Sequence, residues 1–258
     1  MNYSTLLLEN AMTPVLLDCS PETQQAVCDD IVESLLDDVD WRETAVDSIR
    51  LAARLGLEVA MDAAQTSRGR LKRLAGRPAV FLAPDPRPER LQWAVAHEIG
   101  EWAAARVFDR LDLDPADAPT GQREQIAVLL AGAILLPRRT FLADAQRLGG
   151  RVPALKSIYT TASHELILNG LLRLRLLTLV SVFDHGRLMR RRGNGQLEPP
   201  PLLSLEREAQ SRAHESGRGV TLKGRGVRVQ AWPVHEPGWK RELLRTTPLD
   251  EDAVQEAA

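Results

Sequence analysis

The stretch "LQWAVAHEIGEWAAARVF", residues 91–108, places His97, Glu98 and Glu101 within five positions. It opens like the H-E-x-x-H helix of a metalloprotease but carries a glutamate where the second histidine belongs. Positions i and i+4 of an α-helix share one face, so His97 and Glu101 can hold one ion between them. Glu98 lies about 100° round the helix, placed to reach a water beside the ion rather than to ligate it. A third ligand must come from another element, and carboxylates fill that position beside imidazoles in catalytic sites. Glu124 supplies one: it heads "EQIAVLLAGAILLP", otherwise almost wholly apolar, where a carboxylate needs a partner or water. The plainer reading of Glu124 is a first-turn acid favoured by the helix dipole.

The surrounding pattern predicts the elements that position these groups. Val95, Ile99 and Trp102 mark a core-facing stripe on the His97 helix, and Ala94 and Ala105 leave room beside the ligands. That helix starts near "DPRPER", with Asp85 as its cap, and the Glu124 helix stops at Pro137, which cannot continue the hydrogen-bond ladder. Upstream, Ser20 followed by Pro21 and Glu22 opens one helix, "RETAVDSIRLAARLG" forms a second ending at Gly56, and "LEVAMD" and "AVFLAP" read as short strands. "TSRGRLKRLAGRP" between them reads as a basic connection. After Pro137 come short helices with tight joints, Thr161 or Ser163 capping the last, a pattern that suits a helix-turn-helix unit. From Leu176 the texture changes to "LTLVSVFD" and "RLMRRR" as strands, a polar helix "LEREAQSRAHESG", more strand in "VTLKGRGVRVQAWPV", and an acidic end.

A chain of 258 residues with a formal charge of −2 buries a sizeable core, and its length suits two modest domains. Charge is unevenly spread: residues 28–45 are acidic, whereas residues 138–192 are basic enough to meet phosphate. "TASHELILNGLLRLR" and "RLMRRRGN" are the candidate DNA contacts, but the first is rich in Leu and Ile and reads equally as packing surface. The two cysteines, Cys19 and Cys28, make neither a disulfide framework nor a zinc quartet and suit reduced thiols. The N-terminus lacks a basic n-region and no apolar run reaches a membrane-spanning length, so a cytoplasmic protein is expected.

In the order of its parts the chain resembles the ImmA/IrrE metallopeptidase family, through "PAVFLAPDPRPERLQWAVAHEIGEW" followed by "EQIAVLLAGAILLP". The resemblance implies an α+β chain. A zincin-like, mainly helical metallopeptidase domain with a small sheet would occupy residues 1–145 and a helix-turn-helix-like segment 146–175. A small sensor-like α+β domain would follow at 176–246, with an acidic flexible tail at 247–258. It also implies His97 as a metal ligand, Glu98 as general base and Glu124 as the carboxylate ligand, and puts Glu101 where the second histidine ligand would stand. The cofactor expected is one divalent ion: Zn²⁺, or Mn²⁺ or Fe²⁺ because the extra carboxylate hardens the donor set and weakens the ion as a Lewis acid. The implied activity is hydrolysis of a peptide bond in a helix-turn-helix repressor or antitoxin, held as an extended strand along "AVFLA". The alternatives are an inactive member that binds a protein partner, or a DNA-binding regulator. Tyr159 and His164 read as structural rather than as oxyanion donors.

Overall fold

The computed structural model describes residues 20–249 except 75, 116–117, 119–120 and 196–197. The N-terminal segment that includes Cys19, and the acidic tail from residue 250, lie outside the described residues. The chain divides into two compact units, residues 1–138 and 139–258.

In the first unit, helix α1 (Pro21–Asp38) begins where the Ser20 hydroxyl accepts from the Thr23 amide. It buries Cys28, Ile31, Val32, Leu35 and Leu36 along one helical face. Helix α2 (Ser48–Arg54) starts later than the sequence pattern suggests, because Asp47 accepts from the amides of Ile49 and Arg50 and fixes the cap there. A three-stranded sheet follows, built of β1 (Glu58–Met61), β2 (Gly69–Leu74) and β3 (Arg77–Leu82) in the order β1-β3-β2. β1 runs parallel to β3 and β2 antiparallel.

Two sequence expectations fail here. The basic connection folds as strand β2, whose exposed edge and face tolerate the arginines and lysine that disguise it. "AVFLA" becomes the central strand, paired on both sides, so its backbone has no edge to offer an extended peptide.

Helix α3 (Pro88–Arg110) and helix α4 (Gln122–Leu135) pack closely side by side. Asp85 does not cap α3; its carboxylate accepts from the Arg87 amide, and Arg87 is the cap residue. Val95 and Ile99 are fully buried as expected, but Trp102 stays half-exposed with the Arg106 guanidinium 5.1 Å from its ring centroid. Ser48 ties α2 to α3 through its amide and hydroxyl, both donating to Gln92 within 2.8 Å. Apart from its first turn, α4 is a core helix, with Ile126, Ala127, Leu130, Ala131 and Ile134 sealed from solvent. No single described helix is long and apolar enough to cross a membrane.

The second unit opens with short helices α5 (Arg138–Arg147), α6 (Val152–Lys156) and α7 (His164–Gly170), the last capped by the Ser163 hydroxyl. A single 3-10 turn, Leu171–Arg173, leads into a five-stranded antiparallel sheet. Its strands are β4 (Leu179–Asp184), β5 (Arg187–Gly193), β6 (Val220–Gly224), β7 (Val227–Glu236) and β8 (Trp239–Pro248), in the order β5-β4-β8-β7-β6. Helix α8 (Ser204–Ser216) lays Ala209 and Ala213 on the sheet against Phe183, Val229, Ala231 and Leu244. Strand β8 has no counterpart in the sequence reading. It carries Thr247 and Pro248 into the sheet, with Thr247 buried, so the expected flexible tail does not begin at 247.

Candidate metal centre

Gly100, one turn beyond His97, is where α3 and α4 come closest. A Cβ there would stand 2.6 Å from the Ala127 carbonyl oxygen and 3.0 Å from its Cα, so only glycine allows this approach. Glu124 lies one turn before Ala127, as His97 lies one turn before Gly100. The crossing therefore brings the first turn of α4 level with the histidine, and His97 Nε2 sits 3.4 Å from Glu124 Oε1. Glu101 joins them: His97, Glu101 and Glu124 each offer a ligand atom, all within 4.8 Å of one another. The structure thus brings together the three residues singled out as ligands.

An ion about 2.0–2.2 Å from each donor limits their mutual separation to roughly 4.2 Å. The His97–Glu124 distance already meets that limit, and the remaining separations, within 4.8 Å, are those that side-chain rotation would have to close. One imidazole and two carboxylates suit a divalent ion, so the residues fit the group. A fourth residue that sequence reasoning missed stands beside them. Arg123 donates from Nε to Glu101 Oε2 at 2.8 Å and from its terminal nitrogen to the Glu101 carbonyl at 3.1 Å. Its position immediately before Glu124 was the only signal available. The guanidinium offsets the negative charge that glutamate adds where the motif expects a neutral imidazole.

Glu98 is buried and faces the sheet. Its Oε2 accepts from the Leu71 amide at 2.7 Å, and Oε1 would lie 2.9 Å from a Cβ on Gly69, so glycine at 69 lets β2 lie against the carboxylate without displacing it. Burial pushes the Glu98 carboxyl above the usual carboxylate range, against the opposing pull of His97 and the Leu71 N–H. Burial also disfavours a charge on His97, but Glu124, with Glu98 and Glu101 nearby, outweighs it and holds the imidazole above its ordinary value. The His97 hydrogen bond holds Glu124 below its ordinary value despite partial burial.

In the second unit three arginines are engaged internally. Arg190 pairs with Glu165, and Arg191 forms a two-pronged pair with buried Glu206 at 3.0 Å on each prong while donating to Ser181. Arg241 forks onto Asp184 at 2.6 and 2.8 Å and also reaches Glu165. Two arginines of the expected phosphate-facing arm, Arg190 and Arg191, are therefore drawn into ion pairs by acids that are distant in sequence. The seven-residue α7 buries Ile167 and Leu168, matching the packing alternative for that helix. Tyr159 is fully buried, with its hydroxyl donating to Asp144 at 3.0 Å and its edge against Phe141, and is structural.

Comparison with known proteins agrees with the resemblance read from the sequence. Residues 52–153 match the IrrE N-terminal-like domain, peptidase family M78. No curated protein matches the chain. Among solved structures, a Mycobacterium tuberculosis transcriptional regulator is similar in fold, with a TM-score of 0.65 at 16% identity over 86% of this chain and 76% of that one.

Proposed function

From the IrrE N-terminal-like domain that this chain carries at residues 52–153, we propose a metallopeptidase-like regulatory protein that hydrolyses a peptide bond in a helix-turn-helix repressor or antitoxin. The observation that carries the reading is the convergence of His97, Glu101 and Glu124 at the Gly100–Ala127 crossing, with Glu98 against the edge strand β2. His97, Glu101 and Glu124 would hold one divalent ion. When bound, it supplies Lewis-acid polarisation of a carbonyl and lowers the pKa of water.

The chain's own residues do the rest. Glu98 would take a proton from the attacking water and pass it to the leaving amine, a role suited to a carboxyl that burial raises above the usual carboxylate range. The Leu71 N–H orients that carboxylate. An extended peptide adding to the outer edge of β2 would lie alongside it, which moves the substrate strand from "AVFLA" to "GRLKRL". Arg123 keeps Glu101 aligned and moderates the charge of the donor set. Regulation as the purpose rests on the family and on the fold shared with a transcriptional regulator, and a cytoplasmic location is part of the same proposal.

The Arg123–Glu101 pair also favours a second reading. Together with the His97–Glu124 contact it closes the four side chains into two ion pairs without a cation, as a non-catalytic partner-binding member would need. Metal analysis of protein purified without chelator, followed by incubation with helix-turn-helix repressors under Zn²⁺, Mn²⁺ or Fe²⁺, separates the two. The peptidase reading expects stoichiometric metal in wild type and Glu98→Gln, with fragments by mass spectrometry only in wild type. Metal-free protein that binds a repressor without cutting it supports the second reading and overturns the first.

A further inference from the structure

Two of the chain's five histidines meet at one buried carboxylate far along the sequence from His97. His214 lies in the last turn of α8, His235 near the end of β7 and Glu242 on β8. In the β7–β8 register Glu242 stands opposite Pro233, two residues from His235, so His235 and Glu242 are diagonal neighbours on one sheet face. Helix α8 covers that face with Gln210 and His214, one turn apart.

His214 Nδ1 lies 2.9 Å and His235 Nε2 2.8 Å from the same oxygen, Glu242 Oε1. The other carboxylate oxygen, Oε2, accepts from Gln210 Nε2 at 3.0 Å. Glu242 is wholly sealed, whereas the two imidazoles keep 30% and 23% of their side-chain surface, so it is the histidines that reach solvent.

We propose that His214, His235 and Glu242 form a second divalent-metal site, for Zn²⁺ or a similar borderline transition-metal ion, in the C-terminal unit. Two imidazoles and one carboxylate are the donor set of open zinc sites, with water completing the coordination. The three donor atoms lie within 4.8 Å of one another, and the two nitrogen–oxygen hydrogen bonds need to open by only about 0.5 Å to reach the roughly 3.4 Å that separates neighbouring ligands on a tetrahedral ion. Ligation through His214 Nδ1 and His235 Nε2 takes the tautomers that carry the proton on the opposite ring nitrogens, so that two imidazole lone pairs and Glu242 Oε1 would face the ion together. Gln210 then acts as a positioning residue, fixing Glu242 through the oxygen that does not face the histidines. Metal sites use such a hydrogen bond to hold a ligating carboxylate in place. The site joins α8 to β7 and β8, so occupancy would clamp the helix to these strands and give this unit a metal-dependent stability.

The test uses full-length protein stripped with chelator, in a His97→Ala/Glu124→Ala background that disables the first centre. Zn²⁺ is titrated by calorimetry, and Co²⁺ by visible absorption, which reports nitrogen ligation. One equivalent of Zn²⁺ is expected. It should be lost on adding His214→Ala or His235→Ala, and bound about 10–100-fold more weakly with Gln210→Ala. Equal binding with and without the two histidines, or no binding in the background, overturns the proposal. Should the histidine variants fold poorly, NMR on the wild type decides. Ring-proton signals of His214 and His235 should move on Zn²⁺ addition while that of His185 stays, and unmoved signals overturn the proposal.

Discussion

Substituting Gly100 by alanine tests how tightly α3 and α4 cross. The added Cβ would meet the Ala127 carbonyl oxygen at 2.6 Å, about 0.8 Å inside the 3.4 Å at which ordinary contact begins. The obstacle is backbone on a neighbouring helix, so neither rotamer change nor a flexible tip relieves it. Overpacking of this kind costs about 1–3 kcal/mol. Against that, alanine is favoured over glycine in a helix interior by about 0.8–1.0 kcal/mol. The expected net effect is a loss of roughly 0–2 kcal/mol, read as a melting temperature lower by up to several degrees at about 2–4 °C per kcal/mol for a chain of this size. The alternative has the opposite sign: a loose crossing lets the propensity gain show and the variant melts about 2–4 °C higher. The same substitution moves Glu124 from His97, because the two ligands ride on the two helices being parted. Metal ligation tolerates only about 0.2 Å, so Zn²⁺ or Mn²⁺ affinity at this centre should fall at least about tenfold. Thermal unfolding and calorimetric titration on the full chain report both quantities. A more stable variant with unchanged metal affinity refutes the reasoning.

In the second unit, Glu206→Ala should destabilise by about 3–5 kcal/mol, because it leaves the nearly buried Arg191 guanidinium without its two-pronged partner and strips acceptors from the Thr246 hydroxyl and the Leu203 amide. The urea midpoint measures it, and a loss under 1 kcal/mol would mean the network is solvated. Burial, with Asp29 adjacent, pushes the Cys28 thiol up to about 12, so in a Cys19→Ser variant alkylation at pH 8 should proceed only as fast as the chain opens. The unfolded thiol ionises near its ordinary value of 9.0 while the folded one keeps its proton, so this group's contribution to stability falls as pH rises from about 9 towards 12. Rapid alkylation of the folded chain would contradict the burial of α1.

The sequence by itself determined the chemistry of the first centre. Helical periodicity put His97 and Glu101 on one face and Glu98 beside them, and an acid at the head of an apolar helix drew attention to Glu124. Caps such as Ser20 and Ser163, and the stop at Pro137, were equally legible because they depend on neighbours a few residues away. What depends on contacts across the chain was not. Strand β2 hid behind arginines and lysine because an edge strand has no need of the alternating apolar pattern, and its discovery moved the peptide-pairing edge away from "AVFLA". Arg190 and Arg191 read as a basic surface until Glu165 and Glu206 arrived from other elements. His214, His235 and Glu242 share no spacing that marks them; a helix turn, a strand and its diagonal neighbour meet only once the sheet and α8 are packed. Local periodicity fixes which way a side chain faces along its own element, whereas register and helix crossing decide what it faces, and only tertiary packing sets those.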